Sequence, residues 1–170
     1  MKKKNYTKEE LIKEYMPTLK VLAVLMFVLA AILVLLLTTD IQLISSLAAD
    51  KATLSKDAKD MFFEVAASIF SNTGYLFTIL TSAALFISTI KEGTPFTKKT
   101  STILFIIALE LIITGVFAPI GARYLTTSII GERFAVKLAS NDIFAGSLLS
   151  IISSFFRYGT KLQQESDETL

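Results

Sequence analysis

Residues 65–122, VAASIFSNTGYLFTILTSAALFISTI followed by KEGTPFTKKT and STILFIIALELIITGVFAPIGA, decide the fold. The first run, Val65 to Ile90, has no charged side chain, and the last, Ser101 to Ala122, has one, Glu110. As a helix the first run would reach roughly 39 Å, more than the roughly 30 Å hydrocarbon core of a bilayer. A soluble domain has no use for two such runs back to back. The stretch reads as a transmembrane helical hairpin.

The polar link, Lys91 to Thr100, has the chemistry of a turn between helices. Gly93 can take the left-handed conformation that ends a helix. Pro95 cannot continue one and drives Thr94 into an extended conformation. Thr97 is placed as the next N-cap, its hydroxyl accepting from the free N–H of Lys99 or Thr100. The apolar staple that often accompanies such a cap is missing, because the residue that should meet Phe96 is Ser101. Lys98 and Lys99 oppose the helix dipole in the first turn. Lipid phosphates at a cytoplasmic surface would offset that opposition.

Composition narrows the chemistry. The chain of 170 residues is 52% hydrophobic and has no Cys and no His, with a mean hydropathy of +0.59. Thiol nucleophiles, thiolate or imidazole metal sites, disulfides and His-based triads are excluded. No paired intramembrane carboxylates, Gly-rich phosphate loop or nucleophile with an evident base stand in the sequence, so neither an enzyme nor a cofactor is expected. A net charge of +2 does not suggest direct contact with nucleic acid.

Outward from the hairpin, Val21 to Leu37 is a further apolar run, extended by Thr38 and Thr39. Its length and long basic flank favour an uncleaved span over a signal peptide. Within that flank, Thr7 and Glu10 form a capping-box pair, and the pattern admits a short surface helix ended or kinked at Pro17. Asp40 to Glu64 is mixed, with Ile41, Leu43, Ile44 and Leu47 at helical spacing, which predicts a surface-lying or helix-extending piece. Arg123 to Asp142 is mixed as well. Ile143 to Phe156 is uncharged but covers only roughly 21 Å. Either its helix starts near Phe134 with Lys137 snorkelling, or it is short and capped by Asn141 or Asp142.

Four spans are the expectation: an all-α integral membrane protein of two hairpins, with both termini cytoplasmic. Residues 1–20 form a basic flank, 21–158 the membrane domain and 159–170 a polar tail. Segments 1–20, 91–100 and 157–170 hold eleven of the seventeen Lys and Arg, and 40–64 and 123–142 hold six. That asymmetry orients the chain in a bacterial cytoplasmic membrane.

Glu110 is the sharpest single residue, since a mid-membrane carboxyl is expected to face the bundle and be neutral or paired. Asn72 heads its candidate partners, with Thr78, Thr81 and Ser82 on the second span and Ser147, Ser150, Ser153 and Ser154 on the fourth. Gly146, Ser150 and Ser153 or Ser154 make a small-residue stripe that allows close helix approach, within the chain or between two copies of a homo-oligomer. The tail is expected to be solvated and partly frayed.

At Gly93-Thr94-Pro95-Phe96-Thr97 and at Arg157-Tyr-Gly-Thr-Lys-Leu-Gln-Gln-Glu-Ser-Asp-Glu-Thr-Leu170 the chain resembles the bacterial four-span membrane family catalogued as domain of unknown function 2975. It departs at Lys98-Lys99-Thr100-Ser101, where the family is richer in arginine, and at Ser166, where Asn is common. The family's activity is unassigned. The resemblance implies a small regulator encoded beside a short helix-turn-helix transcription factor. With both motifs on one side of the bilayer, Gly93, Pro95, Phe96, Thr97, Arg157, Gly159, Glu165 and Asp167 are the candidate contacts for a cytoplasmic regulatory protein. The rival expectations are a small transporter or immunity-type permease subunit using Glu110, and a structural subunit of a membrane complex.

Overall fold

The computed structural model describes residues 8–50 and 53–168, with side chains described for 14–50 and 53–166. It contains four helices and, among the described residues, no strand: α1 (Lys8–Ala49), α2 (Lys56–Glu92), α3 (Lys98–Ile130) and α4 (Ser140–Glu168). Each packs chiefly against its neighbour in sequence, α1 on α2, α2 on α3 and α3 on α4. Three of them, in the segments Glu14–Ala49, Lys56–Glu92 and Lys98–Ile130, are long and apolar enough to cross a membrane. Their outward faces are greasy: Val21 and Leu35 of α1 are each 66% exposed and Phe117 of α3 is 61% exposed. Water would not tolerate so continuous an apolar surface, whereas lipid would.

The helices overrun the hydrocarbon. At 42, 37 and 33 residues, α1, α2 and α3 would each reach about 50 Å or more, well beyond a bilayer core of about 30 Å. Most of the mixed segment Asp40 to Glu64 is therefore helix: α1 continues through Asp40 to Ala49, and α2 begins at Lys56 under an N-cap at Ser55, whose hydroxyl accepts from Ala58 N at 3.3 Å. The helix-extending alternative holds. Pro17 lies inside α1, so the N-terminal flank is no separate surface helix from Lys8 onward. Thr7 of the capping-box pair lies outside the described residues.

The second mixed segment divides differently. Helix α3 continues to Ile130 and ends at Gly131, in the left-handed conformation with φ 81°. Residues 131–139 then run back along α3 without helix, until Ala139 N donates to Gly115 O at 3.0 Å. Nine extended residues reach about 30 Å, enough to retrace the roughly 22 Å of α3 that lies beyond Gly115. Phe134 stacks on Phe63 of α2 with ring centroids 4.7 Å apart, and Lys59 pairs with Glu132 at 2.8 Å. The earlier helix start near Phe134 is thus corrected. So is the cap: α4 begins at Ser140, with Asn141 and Asp142 inside its first turn.

One antiparallel register runs down the α3–α4 pair, from Gly115 against Ala139 to Ser101 against Ser153. The small-residue stripe lies in this seam. A Cβ on Gly146 would stand 2.6 Å from Ala108 O, and Ser153 is buried. Ser101 Oγ donates to Ser153 O at 3.0 Å, and Ser153 Oγ donates to Ser101 O at 2.8 Å. The stripe's first role is therefore intramolecular. Ser154 is exposed and bonds within its own helix, to Ser150 O.

Candidate functional site

Three carboxylates on the other helices, Asp40, Glu110 and Asp142, each accept from a side chain of α2. Glu110 accepts at Oε1 from Thr81 Oγ1 at 2.8 Å. Its other oxygen, Oε2, is buried and has no hydrogen-bond partner. Asp40 Oδ2 accepts from Ser68 Oγ at 2.7 Å and from Asn72 Nδ2 at 3.2 Å, and the amide also reaches Ser68 Oγ at 3.0 Å. Ser68 and Asn72 stand four residues apart, so one face of α2 presents both donors to α1. Asp142, in the first turn of α4, accepts at Oδ2 from the Tyr75 hydroxyl at 2.8 Å.

This corrects the pairing of Asn72 with Glu110. Asn72 serves Asp40, which lies about 30 Å along α1 from Lys20, near the far boundary of the span. The other hydroxyls predicted around Glu110 mostly bond carbonyls of their own helices: Thr78 to Gly74, Ser82 to Thr78 and Ser147 to Ile143. A hydroxyl one turn below a carbonyl is satisfied without any neighbour, so abundance of Ser and Thr says little about interhelical partners. Asp40 and Tyr75 are the residues the sequence reading missed. Their signals were present: a helical apolar period continues past Asp40, and a phenol inside an apolar run needs an acceptor.

The link candidates are built as their residue types require. Gly93 takes φ 66° and its N–H donates to Thr89 O at 3.0 Å, closing α2. Thr97 caps α3, its Oγ1 accepting from Thr100 N at 3.1 Å. Glu92 accepts from Ser88 Oγ of its own helix at 3.1 Å and links the two ends only weakly, through Lys99 Nζ at 3.9 Å. Phe96, exposed at the turn, finds its apolar partner on α4: its ring lies 5.2 Å from that of Phe156. A Cβ on Gly159 would stand 3.0 Å from Phe96 Cδ1, a contact so tight that the ring would have to give by a few tenths of an ångström.

The link and the start of the tail are therefore packed together, as the expected four-span topology implied. By the α3–α4 register Arg157 stands level with Thr97. It joins Lys98 and Lys161 around a 260 Å³ depression floored by Ser101, Thr102 and Thr160. Beyond Arg157 the tail is ordered helix to Glu168, not a frayed end. Tyr158 and Leu162 on this extension are 62% and 47% exposed. Glu165 is exposed too, and Asp167 lies in the helix with its side chain outside the described set.

Among curated proteins and solved structures, none matches this chain. A family model does match, described as a protein of unknown function (DUF2975), over residues 46–170, from the end of α1 to the last residue. The capped link, the seam between α3 and α4 and the helical tail all fall within that span, and the chain belongs to this family.

Proposed function

We propose that this is a multi-pass protein of a bacterial cytoplasmic membrane, crossing four times, that regulates by holding a cytoplasmic protein at its link–tail face. The observation that carries the reading is the seating of Phe96 on Phe156 and Gly159. It joins two segments distant in sequence into one rigid platform, from which α4 projects about 17 Å beyond Arg157. Exposed Tyr158 and Leu162 on a helix outside the bilayer are anchors that a partner's groove would cover. The fourth crossing is supported by the register, which lays Ile143–Phe156 beside the apolar part of α3. The partner class is the small helix-turn-helix protein that family resemblance implies.

The test is retention of that protein on membranes. With the neighbouring helix-turn-helix protein co-expressed, deletion of Gln163–Leu170 is expected to move it from the membrane to the soluble fraction and change transcription of its targets. The helices should stay packed, because among the described residues none that is buried is removed. Unchanged membrane retention in the truncated chain would overturn the docking role of the tail.

Glu110 Oε2 favours a second reading, ion or proton translocation, since a purely structural carboxyl has little reason to leave a buried oxygen unpartnered. Glu110→Gln separates the two. The amide oxygen can keep the Thr81 hydrogen bond, so folding stability is expected to change by less than about 1 kcal/mol. If Glu110 only packs, partner retention and growth phenotype stay as in the parent. Loss of function in a folded, inserted Gln variant would put translocation ahead.

A further inference from the structure

On the face of α2 and α3 left open by α1 and α4, a groove of about 540 Å³ runs between the helices. Phe70 and Phe77 of α2 and Ile113 and Phe117 of α3 line it. The two helices approach closely beneath it: a Cβ on Gly121 would stand 2.8 Å from the Phe70 ring, and one on Gly74 would overlap Thr114. The walls are open to the surroundings, with Phe77 60% and Phe117 61% exposed. At its far end the groove adjoins a second depression of about 350 Å³, with which it shares Ile120 and Tyr124. There the lining turns basic, with Arg123 from α3 and Arg133 from the 131–139 segment, both exposed.

We infer that this composite surface binds an anionic phospholipid, its phosphate on Arg123 and Arg133 and an acyl chain in the α2–α3 groove. Three observations select that occupant. First, the distance along α3 from Arg123 to Ile113 is about 15 Å, half of a roughly 30 Å hydrocarbon core and thus the depth of one leaflet. Second, the order of chemistry matches a lipid, with two guanidiniums suited to bidentate phosphate contact at one end and only apolar walls below. Tyr124, 76% exposed, marks the interface between them. Third, no acid lines either depression, and Glu132, beside Arg133 in sequence, is held by Lys59. A zwitterionic headgroup would bring its own cation against two arginines; an anionic one would not. Two of the six basic residues on this side of the spans are thereby given a counter-charge. The inference needs α2 and α3 to cross a bilayer and is independent of the cytoplasmic docking reading.

The test is native mass spectrometry of the full-length chain in a mild detergent, with dioleoylphosphatidylglycerol and dioleoylphosphatidylcholine supplied in turn at equal concentration. One phosphatidylglycerol per chain should be retained, with a preference of about thirtyfold over phosphatidylcholine from two basic contacts. Arg123→Gln together with Arg133→Gln should bring the two lipids to near parity, and both sites are exposed enough for the fold to survive. Phe77→Ala with Phe117→Ala should weaken retention of both lipids. Equal binding of the two lipids by the parent chain would overturn the proposal, as would an undiminished preference in the double Arg variant. So would inorganic phosphate displacing the lipid at equal concentration, which would indicate a headgroup-only anion site. Dimers without lipid adducts, dissociated by the phenylalanine substitutions, would assign the groove to a second copy instead.

Discussion

Gly146→Leu is expected to detach α4 from α3. A Cβ at this position would lie 2.6 Å from Ala108 O and 3.1 Å from Ile112 N, both main-chain atoms of a helix that cannot rotate away. The two axes must separate instead. Separation breaks the reciprocal Ser101–Ser153 hydrogen bonds, seven residues along α4, and with them the seat of Phe156 under Phe96. Within lipid there is little hydrophobic compensation, because an apolar side chain is solvated as well by acyl chains as by a neighbouring helix. Overpacking by the first methyl, in Gly146→Ala, should cost about 1–3 kcal/mol, and leucine more. The readout is direct in a chain with no cysteine. Ser101→Cys with Ser153→Cys should crosslink efficiently in the parent, partly in the alanine variant and hardly at all in the leucine variant. Ser147→Ala is the control, since Ser147 is exposed and bonds only Ile143 O of its own helix. Full crosslinking of the leucine variant would show that Gly146 is not at a close approach.

The second large effect is all-or-none. A reporter active only outside the cytoplasm should be silent when fused after Leu170 and active when inserted between Thr53 and Leu54, in the α1–α2 connection. The asymmetry of eleven against six Lys and Arg sets the sign of this result. The proposed fourth crossing sets its parity. Helix α4 is the least apolar of the four, yet its register carries Arg157 back to the level of Lys98 and Thr97, where α3 begins. Activity at both positions would mean that α4 does not cross. Activity at Leu170 alone would reverse the orientation.

The turn at Gly93 and Thr97 was legible, up to the choice between the N–H groups of Lys99 and Thr100, because each part of it is local. A left-handed residue, a missing helix former and a hydroxyl three residues before an N–H are all read within one window. The polar seam was legible only in part. Gly146 and Ser153 announced a close approach, but nothing in their spacing says which helix arrives. Asn72 shows the same limit. Its side chain demanded a partner, and Glu110 looked like the acceptor because Asp40 stood at the head of a mixed segment beyond the first apolar run.

The amino-acid sequence alone determined the number of helices, the spans of the first three and the geometry of the central turn. Each follows from uncharged length or from caps within three residues. Tertiary structure alone decided which side chains meet. Asp40 reaches Ser68 across 28 positions, and Tyr75 reaches Asp142 across 67. It also decided how far each helix overruns the bilayer. Hydropathy falls at the first charge whether the chain leaves the helix there or only leaves the lipid. Only the tertiary structure, in which Asp40 accepts from Ser68 and Asn72 of α2 and Phe62 and Thr126 are fully buried beyond the uncharged runs, tells the two apart.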